Sequence, residues 1–520
     1  MDGPTAQRGG PGVVVIGAGF GGLAAAIALA QGGAAVTLIE ARDAPGGKAR
    51  RVPGPTGPID AGPTVLTLRG VFDRLYAAAG ESLDDHLRLI PQAILARHWW
   101  PDGTSLDLHA DPEASAAAIR DWAGARAEAE FRAFDRATAQ AFRAFEGPMM
   151  LQPLPRTRAV AAASLRSPAL WPMLMTGRTL ARDLAARFTD PRLRQLFGRF
   201  ATYVGGLPEL SPAVLGLIWR AEAQGVWAVE GGIHALALAL AALARRLGVD
   251  LRLGTPAVRI AEAEGRATGV ELADGTHLGA GHVVFAGDPA ALAAGLLGQP
   301  ARAAVPVAGT QPRSLSAQVW TFAARATRPA FGPDLIHHNV FFSADPAGEY
   351  APLARGEAQG APSLYLCAED RAAGPPPAGP ERFEIILNAP PLSPARPPPD
   401  GEFDRCRDTT LTHLARFGIT LDPPPGPGAL TTPRDFARLF PGSGGAIYGL
   451  SPHGVLAAFR RPTARSRMPG LYLAGGGTHP GAGVPMAARS GLHAAAAILE
   501  DHASTSASGP AATPGGTSTG

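Results

Sequence analysis

The chain has 520 residues, 46% of them hydrophobic and 18% charged, with a formal net charge of +3. Its length implies two or three structural units rather than one core, and so small a charge, with no dense arginine cluster, argues against nucleic acid as a partner. Cys367 and Cys406 are the only cysteines and form no C-x-x-C, which excludes a disulfide framework and points away from a metal site.

The opening residues, MDGPTAQRGGPG, have no basic start followed by an apolar core, so they do not read as a signal peptide and a cytoplasmic location is expected. Residues 13–39 then carry no charge at all. About 20 apolar residues span a bilayer, but the glycines here are placed for a different task. Val13 to Ile16 is a β-branched run that predicts a strand buried on both faces. G-x-G-x-x-G follows as Gly17, Gly19 and Gly22, with Phe20 inside it, and then an alanine- and leucine-rich helix that stops at Gly32 and Gly33. A second strand, AVTLIE, ends in Glu40, 18 residues beyond Gly22. Glycines let the backbone approach a pyrophosphate, the helix start supplies free N–H groups, and an acid about 20 residues on meets a ribose hydroxyl. Strand, turn, helix, strand and acid in register predict dinucleotide binding.

The next stretch, ARDAPGGKARR at 41–51, puts Ala41, Gly46, Gly47 and Lys48 just past the acid, where a Gly-Gly pair suits a close approach to a second part of an extended cofactor. Lys48 is the only lysine of the chain, and Lys48, Arg50 and Arg51 read either as phosphate partners or as a solvated basic loop. Residues 70–220 form a mostly helical region. Within it, 159–180 is apolar around Trp171, Met173, Leu174 and Met175, and Arg166, Pro168 and Pro172 break it before it could span a membrane. It reads either as a stretch lying on a bilayer surface or as a core helix pair. Residues 231–260 predict a helix feeding strands, Asp274 and Gly275 a hairpin turn, and 300–429 a strand-rich region with proline-rich loops. More than 400 residues after the first turn, GLYLAGGGTHPGAGVPMAARSG repeats strand, glycine turn and helix. Gly475, Gly476, Gly483 and Val484 lie in that turn and Pro485 in the first turn of the helix. The tail, 503–520, is low in complexity and expected to be disordered.

The combination of VVVIGAGFGGLAAAIALA, EARDAPGGK, DAGPTVLT and AGGGTHPGAGVP resembles the bacterial carotenoid desaturases, flavoproteins related to phytoene desaturase. TPRDFARLFPGSGGAIYG at 432–449 and IHHNVFF at 336–342 extend the resemblance over nearly the whole chain before the tail. Residues 197–240 and LARHWWPDGT look most like the hydroxyneurosporene desaturases of photosynthetic bacteria, which introduce the 3,4 double bond into 1-hydroxy carotenoids on the way to spheroidene or spirilloxanthin.

The resemblance implies an α/β fold with a Rossmann-type FAD-binding domain of the glutathione-reductase and amine-oxidase kind. A discontinuous α+β substrate domain and a helical membrane-associating region would complete it. The FAD domain would be assembled from 12–75, 226–299 and 431–502, with the helical region at 76–225 and the strand-rich substrate part at 300–430. Gly17, Gly19, Phe20, Gly22, Glu40 and Ala41 would hold the ADP half of FAD, and Val258 would give backbone contacts to the adenine. Gly46, Gly47 and Lys48, with Gly475, Gly476, Gly483, Val484 and Pro485, would line the pyrophosphate and flavin side. Gly476 departs from the amine oxidases, which usually place a glutamate there in A-G-E, so one flavin contact of those cousins is missing. A hydrophobic carotenoid as substrate, monotopic attachment to the inner membrane, and oxygen or a quinone as electron acceptor are further implications.

Removing two hydrogens from a hydrocarbon needs a hydride acceptor that no side chain supplies, which is the flavin's part. A proton must leave as well. Glu209, Glu222, Glu230, Asp60, His234, His337, His338 and His479 stay open as its acceptor, beside ordinary ion-pair, capping or bracing roles. A hydroxyl in an apolar tunnel is selected strongly only where it meets a buried hydrogen-bonding partner. Rival readings are an amine or porphyrinogen oxidase, a phytoene desaturase or carotenoid isomerase, and a non-enzymatic lipid-binding protein of the GDP-dissociation-inhibitor kind. Both cysteines precede the last motif, which weighs against a covalent flavin anchor there, and the intact glycines with Glu40 weigh against the non-enzymatic protein.

Overall fold

The β-branched run forms the strand Gly12–Ile16, the middle one of a five-stranded parallel sheet. This computed structural model describes residues 12–166, 173, 178–395 and 401–507. Strands from the whole length of the chain meet in the sheet, in the order Leu471–Leu473, His282–Phe285, Gly12–Ile16, Ala35–Ile39, Asp250–Arg252. Val14 pairs with Thr37 on one side and Val283 on the other, and Val284 pairs with Tyr472. Both faces of the middle strand are buried. Val13 and Val15 join a core built with the flanking helices, whereas Val14 joins a core built with a three-stranded antiparallel meander, Ala257–Ala263, Arg266–Leu272 and His277–Gly279. That two-sided cover is why the strand reads as continuously apolar.

The helix Phe20–Gln31 packs against Ile233–Arg246 and against the last helix, Val484–Ala507. The second contact is backbone on backbone: a Cβ on Gly491 would stand 2.8 Å from the Ala25 nitrogen. Small residues at the crossing let the first and last helices of the unit approach this closely.

The second unit is built on an eight-stranded sheet. Its main path runs Leu421–Asp422, Ser316–Ala326, Glu381–Ala389, Leu364–Ala368, His338–Phe341, Ile94–Trp99, Ser105–His109, and Leu430–Thr431 pairs beside Ser316–Ala326. Two of these strands come from the region read as mostly helical. Ile94–Trp99 runs parallel to His338–Phe341, with His98 beside Val340, and turns back through PDGT into Ser105–His109. Trp100 N donates to Thr104 O at 3.0 Å and Gly103 takes a φ of +87°, a hairpin geometry that the glycine makes possible. The rest of that region is helical. Pro112–Phe145, N-capped by the Asp111 side chain, joins Leu180–Arg187 and Pro191–Gly198 in covering the sheet. Their phenylalanines, among them Phe131, Phe134, Phe188 and Phe197, form one core with Val340, Phe342 and Tyr365.

Residue 75 falls inside the helix Gly70–Ala77, and the last helix runs past residue 502. Of the apolar stretch 159–180, the structure shows part of the helix Thr157–Arg166 and a buried Met173 packed with Ala141, Phe145 and Ala213. Residues 167–172 and 174–177 of that stretch, and 508–520 of the tail, lie outside the described residues.

Candidate cofactor and substrate site

The glycine turns of the cofactor unit converge. Gly17 N donates to Ile39 O at 2.7 Å, and Gly46 N donates to Ala18 O at 2.8 Å, which ties the 46–47 turn to the first one. Gly46 and Gly47 take φ values of +120° and +60°, a region in which a side chain is strained. A Cβ on Gly21 would stand 2.7 Å from Gly475 Cα, so the first and last turns touch. The helix Phe20–Gln31 starts with no side-chain cap and no acid in its first turn, which leaves its first N–H groups and the positive end of its dipole for an anion. The last helix likewise has no acid in its first turn. Within the first turn Phe20 is buried, edge-on to Phe72, while Ala41 is exposed beyond the acid. At the last turn Val484 and Pro485 are buried and Gly483 is exposed.

Glu40 is buried and held by its neighbours. Its Oε2 accepts Ala18 N at 2.7 Å, its Oε1 accepts Arg42 N at 3.1 Å, and its backbone oxygen accepts Thr255 N at 2.7 Å. The last of these brings the 255–258 segment beside the acid. There the antiparallel ladder steps from Ala257 opposite Leu272 to Arg259 opposite Glu271, so Val258 sits at a bulge with its backbone out of the pairing.

Cations gather on the other side of the cradle. Lys48 Nζ donates to Ile447 O at 2.5 Å and lies over the Phe440 ring. Burial pushes its amine down to about 8, Asp288 opposes the shift, and Arg313 and Arg461 add to it. Arg461, itself buried, donates to Tyr448 O, Leu450 O and Gly476 O at 3.2, 3.0 and 2.8 Å. It clasps the last glycine turn at Gly476. Glycine turns in mutual contact, an uncapped helix start and neighbouring cations suit a pyrophosphate with a nucleotide on each side. Arg461 stands in AAFRRPTARS, where no motif marks it, so sequence reasoning missed it.

The segment Asp60 to Thr64 is the joint between the two units. Asp60 N donates to Glu369 Oε1 at 2.9 Å, Gly62 N donates to Glu384 Oε1 at 2.8 Å, and the hydroxyls of Thr64 and Tyr365 are 2.7 Å apart. Alternate residues of the joint are thus gripped by the eight-stranded sheet and the turn beside it. Burial raises both acids, Glu369 to about 8 and Glu384 well above the carboxylate range. Glu384 Oε2 is fully enclosed and has no hydrogen-bond partner among the described residues. A cavity of about 190 Å³ opens at this joint, lined by Asp60, Thr64, Gly232, His337, Cys367 and Glu369. Neither Glu369 nor Glu384 stands in a motif, and only the fold brings them to the joint.

The eight candidate proton acceptors separate by environment. Glu209 is exposed, and so is Glu230, which pairs with Arg88 at 3.3 Å. Asp60 accepts His234 N at 3.2 Å and pairs with Arg51 at 3.2 Å, so it caps the helix Ile233–Arg246. His234 Nδ1 is bonded to Ala49 O at 2.9 Å, and His479 Nε2 to Gln152 O at 3.1 Å, with burial pushing His479 down to about 4. His337 and His338 are bonded through Nδ1 to Ala368 O and to the Tyr365 hydroxyl at 2.9 and 2.6 Å. They bring ligand atoms within 4.8 Å of Cys367 Sγ and of each other, but one nitrogen of each ring is engaged by the protein. Among the described residues Glu222 alone of the eight is buried with no side-chain hydrogen bond, and burial pushes it up to about 8 with Arg199 opposing.

Comparison with known proteins gives the following likenesses. The family model for flavin containing amine oxidoreductases matches residues 20–314 and 425–499. The chain is 58% identical to a hydroxyneurosporene desaturase from Cereibacter sphaeroides over 95% of its length and 99% of the relative's. It is 54% identical to one from Rhodobacter capsulatus, covering 95% of this chain and 98% of that one. Among solved structures, a putrescine oxidase bound to putrescine superposes with a TM-score of 0.58 at 16% identity, over 94% of this chain and 99% of the other, a likeness of fold.

Proposed function

Because the chain belongs to the flavin containing amine oxidoreductase family, in its carotenoid-desaturase branch, we propose that it is an FAD-dependent desaturase that introduces the 3,4 double bond into 1-hydroxy carotenoids. The observation that carries this reading is 58% identity to a hydroxyneurosporene desaturase across essentially the whole of both chains. Bound in the cradle, the flavin supplies the acceptor for the hydride that leaves carbon. Glu40 and the free backbone at Val258 support FAD rather than a shorter flavin, since they lie where an adenosine half would end.

The protein's own part is to bind, orient and keep dry. The phenylalanine core around Phe197 reaches Tyr365, which is bonded to Thr64 of the joint, and this supports an apolar setting for a polyene. No described helix is long and apolar enough to cross a membrane. Leu151, Leu154, Leu210 and Leu456 are nevertheless 41%, 57%, 45% and 67% exposed. They sit on loops tied to one another or to the last turn, through Gly454 N to Leu210 O and His479 to Gln152 O. These leucines support attachment to a membrane surface, from which a lipid-dissolved substrate enters. Oxygen or a membrane quinone takes the electrons onward.

The test is turnover. Purified protein supplied with FAD and membranes holding 1-hydroxyneurosporene is expected to bind a flavin and to shift the carotenoid absorption to the red by one conjugated double bond. Protein that takes up no flavin, or that leaves that spectrum unchanged while converting phytoene, would overturn the reading. Repeating the assay without oxygen, with and without an added quinone, separates the two acceptors.

A further inference from the structure

Arg199 opens the 3₁₀ turn Arg199–Val204 between the helical cover and the substrate sheet. Its Nη1 donates to the Tyr203 hydroxyl at 3.3 Å, and its guanidinium lies over two rings, 5.4 Å from the centre of Tyr203 and 5.7 Å from that of Tyr365. Among the described residues no carboxylate comes within ion-pair distance of it. A guanidinium is always charged and carries five N–H donors, and an unpaired charge inside a protein is costly. The nearest acids do not neutralise it. Glu222 and Glu349 make no ion pair with it, and burial raises both, to about 8 and about 7, which favours their uncharged forms.

Arg199, Tyr203 and Tyr448 also keep part of their surface accessible, although burial raises the tyrosine hydroxyls, Tyr448 to about 12. All three are thus deeply placed yet not sealed off. Behind them lie Phe197, Phe200 and Trp219, an apolar wall with no hydroxyl of its own to offer. The position relative to the reaction is fixed from two sides. Tyr365, under the guanidinium, is bonded to Thr64 of the joint, and Tyr448 precedes Gly449, whose added Cβ would stand 2.9 Å from Gly477 Cα in the last glycine turn.

We propose that Arg199 and Tyr203 form the receptor for the substrate's tertiary hydroxyl, the guanidinium donating to its oxygen and the tyrosine completing its hydrogen bonds. The inference rests on the functional reading above and adds the selecting group to it. In a 1-hydroxy carotenoid the 3,4 bond starts two carbons from the hydroxylated carbon, which puts its first carbon about 3–4 Å from the hydroxyl oxygen at single-bond lengths of about 1.5 Å. The hydroxyl receptor therefore has to lie within a few ångströms of the reacting bond, close to the cofactor turns and not at the far end of the tunnel. Arg199, stacked on the Tyr365 that bonds Thr64 of the joint, meets that requirement. Holding the hydroxyl there sets which carbon–carbon bond is presented, and a chain end lacking the hydroxyl sets apolar carbon against the remaining guanidinium donors, which is the stronger source of discrimination.

The test compares 1-hydroxyneurosporene with 1,2-dihydroneurosporene, which has the same chain without the hydroxyl, as substrates of the flavin-loaded full chain and its variants. Arg199→Leu is expected to lower the kcat/KM preference for the hydroxylated substrate by roughly 10- to 150-fold, the scale of one charged hydrogen bond, with Arg199→Lys recovering part of it. Tyr203→Phe is expected to lower it by roughly 2- to 12-fold, the scale of a neutral one. Flavin absorbance and melting temperature certify each variant as folded. A flavin-loaded Arg199→Leu that keeps the wild-type preference overturns the proposal, as does an unchanged preference in Tyr203→Phe if the arginine variant does not fold. A wild-type protein that converts both carotenoids equally instead removes the hydroxylated substrate from the functional reading itself.

Discussion

Burial pushes the Glu222 carboxyl up to about 8 from a starting value of 4.5, with Arg199 opposing. The folded protein therefore holds this proton more tightly than the unfolded chain does. The stability it contributes is complete below about pH 4.5 and is lost as pH rises through the folded value. Glu222→Gln keeps the shape and removes the titration. The difference in unfolding free energy, variant minus wild type, is expected to rise by about 2 kcal/mol between about pH 6 and pH 8. Every other titrating group, Lys48 and the buried histidines included, is common to the two chains and cancels. Denaturant unfolding at the two pH values measures it, and a difference that does not move with pH would show that Glu222 is solvated. At this scale the sequence was only partly legible. Glu40 announced itself by its distance from Gly22, whereas Glu369 and Glu384 carry no local signal because their partners lie more than 300 residues away.

At the scale of elements, the cofactor unit depends on the crossing of Phe20–Gln31 and Val484–Ala507 at Gly21, Ala25 and Gly491. Gly491→Val places a branched side chain where Ala25 N already stands at 2.8 Å from the first added carbon. The helices must separate, at a cost of about 1–3 kcal/mol or more, and the turn that Gly475 shares with Gly21 separates with them. The expected result is a lower melting temperature and a flavin-to-protein ratio well below wild type, read by calorimetry and absorbance. Full flavin content in that variant would mean the crossing does not position the cradle. The pairing of these elements was readable as a repeated strand, glycine turn and helix. The strands Ile94–Trp99 and Ser105–His109 were not, although PDGT is a hairpin signal, because their alternation is masked by residues apolar on both faces, such as Trp99 and Trp100.

For the whole molecule, the exposed leucines of the 151–154 and 454–456 loops predict where it meets a lipid surface. Replacing Leu151, Leu154 and Leu456 together by serine removes apolar contact worth about 1.5 kcal/mol or more for each leucine that is fully immersed. Co-sedimentation with phosphatidylglycerol-containing vesicles is expected to fall at least tenfold, with flavin content unchanged. Equal sedimentation of variant and wild type would place the attachment elsewhere. The five-stranded sheet has a further consequence, because its outer strand Leu471–Leu473 and the helix after it are made later than every other strand of that sheet. At about 5–20 residues per second, a ribosome needs on the order of twenty to ninety seconds to go from Glu40 to Gly475. Throughout that interval the opening helix, with Leu23, Ala24 and Ala25 fully buried in the finished protein, has no Gly491 to lie against. The nascent chain must wait greasy and cofactor-free, so a message cut short before the final helix yields a polypeptide for chaperones and proteases, not a partial enzyme.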